Sequence, residues 1–514
     1  MANAMKASTM SVSYKSLPHK DQLLILMLSR FTEPLTTSSI QSYLFFQLQH
    51  FDPSATAATI SRQAGVIVGC KTAAHVCTGM VWGALADRSS IGRKNVLVTG
   101  LLATSVATLG YGFSKTFAQA LMWQMLDGAL NATIAMVRCM IAELNPEKSY
   151  RVRALTLLPL CANVGSLLGP LVGGFLAASK TSPSLISSHP YAAPNICVAS
   201  IQGVVAIIVM LFLKETMNDE RLSAFESANK QQSKAHKQSA IERVDSLASS
   251  SDGPSEISPL LATTPMDDET PQILQETQSH ASLPFRRMWT PNVLSTLLAQ
   301  FIISGHLGTF ASLWAIFLSM PVKLLPYQHP PIHFTGGIGL QPRSVGVAMS
   351  AFGFAGIVLQ IAIYPTVQDR WGTIRVWRGA LCIFPVVYVI APFCALVASA
   401  EESSAPVWLA ILFVLVLFAT GRTGVVPATS LLINDCTPHP SVRAKIHTAG
   451  VIVSNLSKSV FPPMAFAVLG YGISVGAVGL SFWFVAGLAL LSCISSLWVW
   501  EGTNGRSECG PLER

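Results

Sequence analysis

Charge is what this sequence has least of. Of 514 residues, 12% are Asp, Glu, Lys or Arg, about half the share of an ordinary soluble domain. A soluble chain of this length cannot cover its surface with so few charges, so lipid has to be part of its solvent. Cysteine is sparse and unpatterned. The ten cysteines fall mostly in apolar runs and no C-x-x-C occurs, which excludes a disulfide scaffold and argues against a metal or redox site. Catalytic motifs are missing as well: there is no G-x-x-x-x-G-K-[ST] to cradle phosphates, no H-E-x-x-H and no G-x-S-x-G. No enzyme activity, no cofactor and no metal is expected.

What is present is apolar. Hydrophobic residues make up 51% of the chain and the mean hydropathy is +0.48. Crossing a hydrocarbon layer of ~30 Å takes about 20 residues. Runs of that length lie near 22–48, 64–85, 95–113, 117–142, 154–178 and 196–213, then near 292–319, 345–365, 376–398, 406–432, 446–470 and 474–499. They predict an all-α membrane protein of twelve transmembrane helices, numbered one to twelve below. The division is a tail over 1–20, six helices over 21–213, a linker over 214–289, six helices over 290–500 and a tail over 501–514. The linker is rich in Ser, Gln and acids and poor in aromatics, the composition of a disordered segment. The polar stretch over 1–20 and the long run after it do not resemble a cleavable signal peptide.

The basic residues are distributed unevenly. With both termini and the linker on one side, 24 of the 34 Lys and Arg lie there and 5 lie opposite (Arg62, Lys115, Lys180, Lys323, Arg343). The remaining five (Arg30, Lys71, Arg138, Arg422, Lys458) fall inside helices. The positive-inside rule then places both termini in the cytoplasm. The net charge of +8 reflects this topology and calls for no nucleic-acid partner.

The loop after helix two reads Gly83-Ala-Leu-Ala-Asp87-Arg88-Ser-Ser-Ile-Gly92-Arg93-Lys94. Gly83 would let two helices approach closely and Gly92 would permit a tight turn. Asp87 would accept from a helix N-terminus, while Arg88, Arg93 and Lys94 pair with acids or headgroups. A weaker copy, Asp369-Arg370-Trp371-Gly372-Thr-Ile-Arg375, follows helix eight. Helix five carries Gly165-Ser-Leu-Leu-Gly169-Pro170-Leu-Val-Gly173-Gly174, whose glycines at i, i+4 and i+8 line one face. Where the second half would repeat it stands Phe461-Pro462-Pro463.

The first loop resembles G-x-L-a-D-r-x-G-R-[KR] of the major facilitator superfamily, with one extra residue before Gly92. The helix-five string resembles the antiporter motif of its drug:proton exporters. With Arg30-Phe-Thr-Glu33-Pro34 in helix one and Asp127-Gly128-Ala-Leu-Asn131 in helix four, the chain is similar to the zinc-induced-facilitator-like branch, especially its fungal members. The resemblance implies two six-helix pseudo-repeats. It further implies export of a drug, natural product or metal chelate in exchange for protons, since a carrier without a nucleotide site must use an ion gradient. Gln124 stands where many relatives have an arginine, so the proton-linked role of that arginine is not carried over. Arg30 or Lys71 would have to supply its charge. Import of a nutrient uses the same fold and stays an alternative, with a non-transporting sensor behind it.

A charge at mid-membrane costs ~2.5–3.5 kcal/mol even on insertion scales, so each asks for a reason. Only Glu33 and Asp127 lie well inside predicted helices among 26 acids. Arg30 and Glu33, three apart on one face, can neutralise each other. Asp127 has no cation within one turn of its own helix, which makes it the better proton carrier and Glu33 a paired organiser. Gln124, Asn131, His306, Arg422 and Lys458 are candidates for the substrate cavity, Arg422 and Lys458 favouring anionic or polar cargo. Arg138 is expected to snorkel to the headgroups. In the linker, Glu256-Ile-Ser-Pro-Leu260-Leu261 matches a [DE]-x-x-x-L-[LI] sorting signal, which would direct the chain from the plasma membrane to the vacuole through an adaptor. The expected partners are a small substrate, protons and lipid, with function as a monomer.

Overall fold

The computed structural model describes residues 17–86, 88, 90–145, 150, 154–155, 157–177, 189–216, 288–323, 331–398, 404–437 and 443–502. Asp87, the Glu256–Leu261 segment and most of the linker lie outside these residues. The first half contains α1 (Lys20–Phe51), α2 (Ala57–Ala86), α3 (Gly92–Gly112), α4 (Phe117–Leu144), α5 (Leu157–Leu176) and α6 (Ala192–Phe212). The second contains α7 (Pro291–Ser319), α8 (Pro342–Trp371), α9 (Thr373–Val397), α10 (Ala405–Asp435), α11 (Arg443–Ser474) and α12 (Gly479–Ser496). The chain is an all-helical membrane protein, as its apolar runs predict. Eleven of these helices are long and apolar enough to cross a bilayer. α1 has the length, at 32 residues, but carries too many polar groups. It can do so because it is central: Ser29, Thr32, Thr36, Ser39 and Ser42 are all buried, and Ser29, Thr36 and Ser42 donate to carbonyls one turn back.

Small residues decide how the helices meet, because in lipid the hydrophobic effect does not drive helices together and close contact has to. The glycine stripe of α5 is a close-packing face, as its spacing predicts, and the helix it meets is α1. A Cβ on Gly165 would stand 2.8 Å from Pro34 Cβ, and one on Gly169 would stand 2.5 Å from the Leu35 carbonyl oxygen. Gly173 sits on the Ser39 carbonyl. Gly174 turns the other way, towards α8 of the second half, where its Cβ would be 3.0 Å from Gly346 Cα. Gly346 in turn rests on the Pro170 carbonyl. One motif thus joins α5 to its own half and to the other.

The second seam between the halves runs from α2 to α11. Gly65 packs on Phe466, Gly69 on the Pro463 ring, and Gly470 on the Ala58 carbonyl. Gly83, five turns past Gly65, falls on the same face of α2. An added Cβ there, or on Gly79, would meet nothing within 4 Å. The expectation that Gly83 holds two helices together is corrected, because α2 and α11 part towards this end.

The apolar clusters tell the same story. One continuous cluster joins both halves at the end remote from the termini, from Tyr43 and Leu44 to Trp314, Phe317 and Phe466. At the termini end each half has its own, around Leu26, Leu97 and Val209 in the first and around Val293, Leu297 and Ile446 in the second. The bundle is shut at one end and cleft at the other. In α8 a π-helical stretch, Leu359–Ile363, falls at the level where α8 leaves α5, a place where such bulges accommodate a change of helix course.

Two glycines on one scaffold therefore behave oppositely. Gly169→Val forces α1 from α5 at a cost of about 1–3 kcal/mol and lowers the melting temperature of the purified protein in detergent. Gly83→Ala leaves that temperature unchanged or slightly raised. A thermal-shift measurement on both variants checks the pair.

Candidate functional site

The polar chemistry collects where the cleft narrows. On α1, Arg30 Nη1 lies 2.8 Å from Glu33 Oε2, the i, i+3 pair that the spacing predicts. On α4, Asp127 is not alone. Lys71 of α2 brings its Nζ to 2.5 Å from Asp127 Oδ2, and the carboxylate side chain is only 6% exposed. The contrast between an unpaired Asp127 and a paired Glu33 is therefore corrected: each carboxylate has a cation, one from its own helix and one from a neighbour. Gly128 makes the second pair possible, since it sits against the Lys71 backbone carbonyl where any Cβ would collide.

α4 is broken just beyond this point. Its first segment ends at Leu130, Asn131 is extended (φ −81, ψ 96), and a second segment starts at Thr133. Asn131 Oδ1 accepts from the Thr133 N–H at 3.2 Å, the local side-chain bond by which Asn competes with a helix. Asn131 is thereby placed, but as a helix breaker rather than by a contact with cargo. Asn131 and Thr133 then line a small polar cavity with Glu33, Lys71, Asp127 and Gln202. Gln202 donates to Thr36 at 3.0 Å across it. Its volume of about 10 Å³ has room for roughly one water molecule. Glu33 and Asp127 thus line one polar pocket.

The second half contributes cations. Arg422 of α10 donates from Nη1 to Asn163 Oδ1 of α5 at 3.1 Å and lies over the Phe352 ring at 5.1 Å. Asn163 donates onward to Gln360 at 2.6 Å, so the chain Arg422–Asn163–Gln360 bridges the halves beside the π-helical stretch. Lys458 of α11 rests on Gly308 and is close enough to Glu33, Arg30, Arg138 and Arg422 for their charges to interact. Arg138 is exposed and lies within electrostatic range of Arg30 and Glu33. His306 is fully buried, with Nδ1 2.9 Å from the Tyr388 hydroxyl and its ring against Phe384. It belongs to the aromatic core of the second half. Gln124 is buried one turn before Asp127.

The residue that sequence reasoning missed is His75. It interacts electrostatically with Glu33, Lys458, Lys71 and Asp127, and its position one turn after Lys71 on α2 was the available signal. At the loop motif, Gly92 adopts φ +77, the left-handed turn its glycine predicts, and Arg93 pairs with Glu143. Arg88 is exposed. Glu215, just after α6, accepts from the backbone N–H of Arg93 at 3.3 Å and of Lys94 at 2.9 Å, which caps the N-terminus of α3.

Comparison with known proteins fits this geometry. The sequence profile described as Major Facilitator Superfamily matches residues 24–329. The Aspergillus fumigatus protein described as the major facilitator superfamily multidrug transporter mfsB is 26% identical, covering 94% of this chain and 84% of its own length. The Arabidopsis thaliana protein ZINC INDUCED FACILITATOR 1 is 22% identical over 70% of this chain and 67% of its own. Among solved structures, a D-xylose–proton symporter matches with a TM-score of 0.65 at 12% identity, covering 94% of this chain and 98% of that one. The last likeness concerns the fold alone.

The closeness of α2 to α4 is what the central pair requires. Gly128→Ala displaces the Lys71 backbone, so both the yield of folded protein and transport fall, whereas Gly79→Ala leaves the yield intact. Fluorescence-detected size-exclusion chromatography of the two variants checks this.

Proposed function

Because the chain belongs to the Major Facilitator Superfamily, we propose that it exports a small organic molecule in exchange for protons by alternating access. It is a multi-pass membrane protein and a secondary transporter, not an enzyme. The observation that carries proton coupling is the buried Lys71–Asp127 pair opening on the pocket it shares with Glu33. Protonation of Asp127 cancels its attraction to Lys71 and loosens α2 from α4. Since α2 also forms a seam with α11, proton occupancy and the relation of the halves are mechanically linked. The unpacked glycines at the open end of α2 supply a face for closure when the cleft opens on the other side.

Export is supported by the α5 glycine stripe, which resembles the antiporter motif, and by the relatives described as a multidrug transporter and as the efflux pump azaK of Aspergillus niger. Drugs, natural products and metal chelates are the proposed cargo range. One observation favours a second reading, uptake together with protons. The helices present five cations and two carboxylates to the cleft, so neutralising a carboxylate raises the positive potential. An anion and a proton then bind best together, which suits symport.

The charge bias puts the termini in the cytoplasm, so the open end of the cleft faces that compartment. The plasma membrane is the proposed location. Glu256, Leu260 and Leu261 offer a route to the vacuole through an adaptor, and replacing both leucines by alanine then shifts a fluorescent fusion towards the cell surface.

In proteoliposomes, counterflow with a panel of dyes, amines and metal chelates identifies a working cargo. Asp127→Asn then abolishes accumulation driven by a pH gradient while exchange at equal pH survives. Accumulation that persists overturns the assignment. The single change leaves Lys71 unpaired at a cost of about 3–5 kcal/mol, so Asp127→Asn combined with Lys71→Gln is measured beside it. The double variant regains folded yield without regaining accumulation.

A further inference from the structure

The cleft holds more positive charge than it can neutralise. Five cations reach it from five helices: Arg30 of α1, Lys71 of α2, Arg138 of α4, Arg422 of α10 and Lys458 of α11. Two carboxylates answer them, Glu33 bound to Arg30 and Asp127 bound to Lys71. His75 is the remaining titratable group among them. Arg138, Arg422 and Lys458 form no direct ion pair with a carboxylate among the described residues, and Glu33, already bound to Arg30, acts on Lys458 and Arg138 only at longer range. Among the described residues Arg422 touches neutral groups, the Asn163 amide and the Phe352 ring. Lys458 lies within electrostatic range of both Arg138 and Arg422, and of Glu33.

We propose that the cargo is an organic anion, a molecule with at least one carboxylate, sulfonate or phosphate, whose negative group is held by Arg138, Arg422 and Lys458. The inference rests on reading the cleft as the transport site and narrows its cargo. The physical reason lies in the closed intermediate of alternating access. While the cleft is open to water, as at the termini end, unpaired cations are hydrated and tolerable. When the halves close, that water is expelled, and an unpaired charge in a low-dielectric interior becomes costly. A cationic cargo adds to the excess and opposes closure. An anionic cargo removes part of it, so the same contact that binds the molecule also permits occlusion. Lys458 and Arg138 act on Glu33 only at longer range, and Glu33 keeps its direct pair with Arg30, so either can be changed without leaving that acid unpaired.

The test uses the full-length protein in nanodiscs and two dyes built on one xanthene ring system, anionic fluorescein and cationic rhodamine 123. Binding is followed by fluorescence anisotropy. Fluorescein binds about tenfold tighter than rhodamine 123, in line with measured couplings of close charge pairs. Lys458→Gln and Arg138→Gln each weaken fluorescein several-fold and leave rhodamine 123 unchanged or improved. Lys458→Glu removes the preference. Equal or tighter binding of rhodamine 123, binding of neither dye, or indifference of fluorescein to all three changes overturns the proposal. Proteoliposome flux separates this from the transport reading. Fluorescein that binds with these dependences but never crosses sinks transport and keeps the anion site. Rhodamine 123 that crosses while fluorescein neither binds nor crosses keeps transport and sinks the anion site.

Discussion

A charge inside a membrane-spanning bundle must find an opposite charge, a ring of dipoles or water, and the centre of this protein is arranged around that demand. Asp127 meets it through Lys71 at 2.5 Å, and the distance depends on Gly128 letting two backbones touch. Asn131 ends the first segment of α4 immediately afterwards and lines the same small pocket. The pair, the close approach and the break are one construction. None of the three would be stable alone in a hydrocarbon interior, where an unpaired carboxylate or an unsatisfied peptide group has no compensation.

The same economy governs the joints between halves. Where α2 and α11 touch, glycine meets phenylalanine or proline; where they part, glycine meets nothing. α5 and α8 repeat the arrangement, with Gly174 and Gly346 in contact near the closed end and Asn163 bonded to Gln360 where the cleft begins. Backbone-to-backbone contact of this kind is short-ranged, so it forms or breaks over a small rotation. That suits a device with two packings better than a broad interlock of large side chains, which would resist sliding.

Much of this was legible beforehand. Twelve apolar runs mark the helices because a bilayer demands about 20 residues from each, and α3, α7 and α10 fall within a few residues of their runs. Arg30 and Glu33 are readable as a pair because three residues along a helix are adjacent in space. The stripe of Gly165, Gly169 and Gly173 is readable as a contact face for the same reason, and the left-handed Gly92 follows from its place in a tight turn. Each of these signals is local, carried by spacing along one helix or one loop.

What spacing could not supply was the partner across a gap. Nothing in the neighbourhood of Asp127 announces Lys71, which is 56 residues away in sequence and reaches it only because α2 and α4 pack together. Arg138 comes within electrostatic range of Arg30 and Glu33, and His306 enters an aromatic core, for reasons that lie in other helices. Gly83 looks like a packing glycine on its own face, and only the divergence of α2 from α11 leaves it free. The sequence by itself determined the number and order of the helices and the local pairs, because these depend on hydropathy and helical period. Tertiary structure alone decided which charges share the cleft and which end of it is open, because electrostatic and packing energies depend on distance through space, and helix-to-helix distance is not written along the chain.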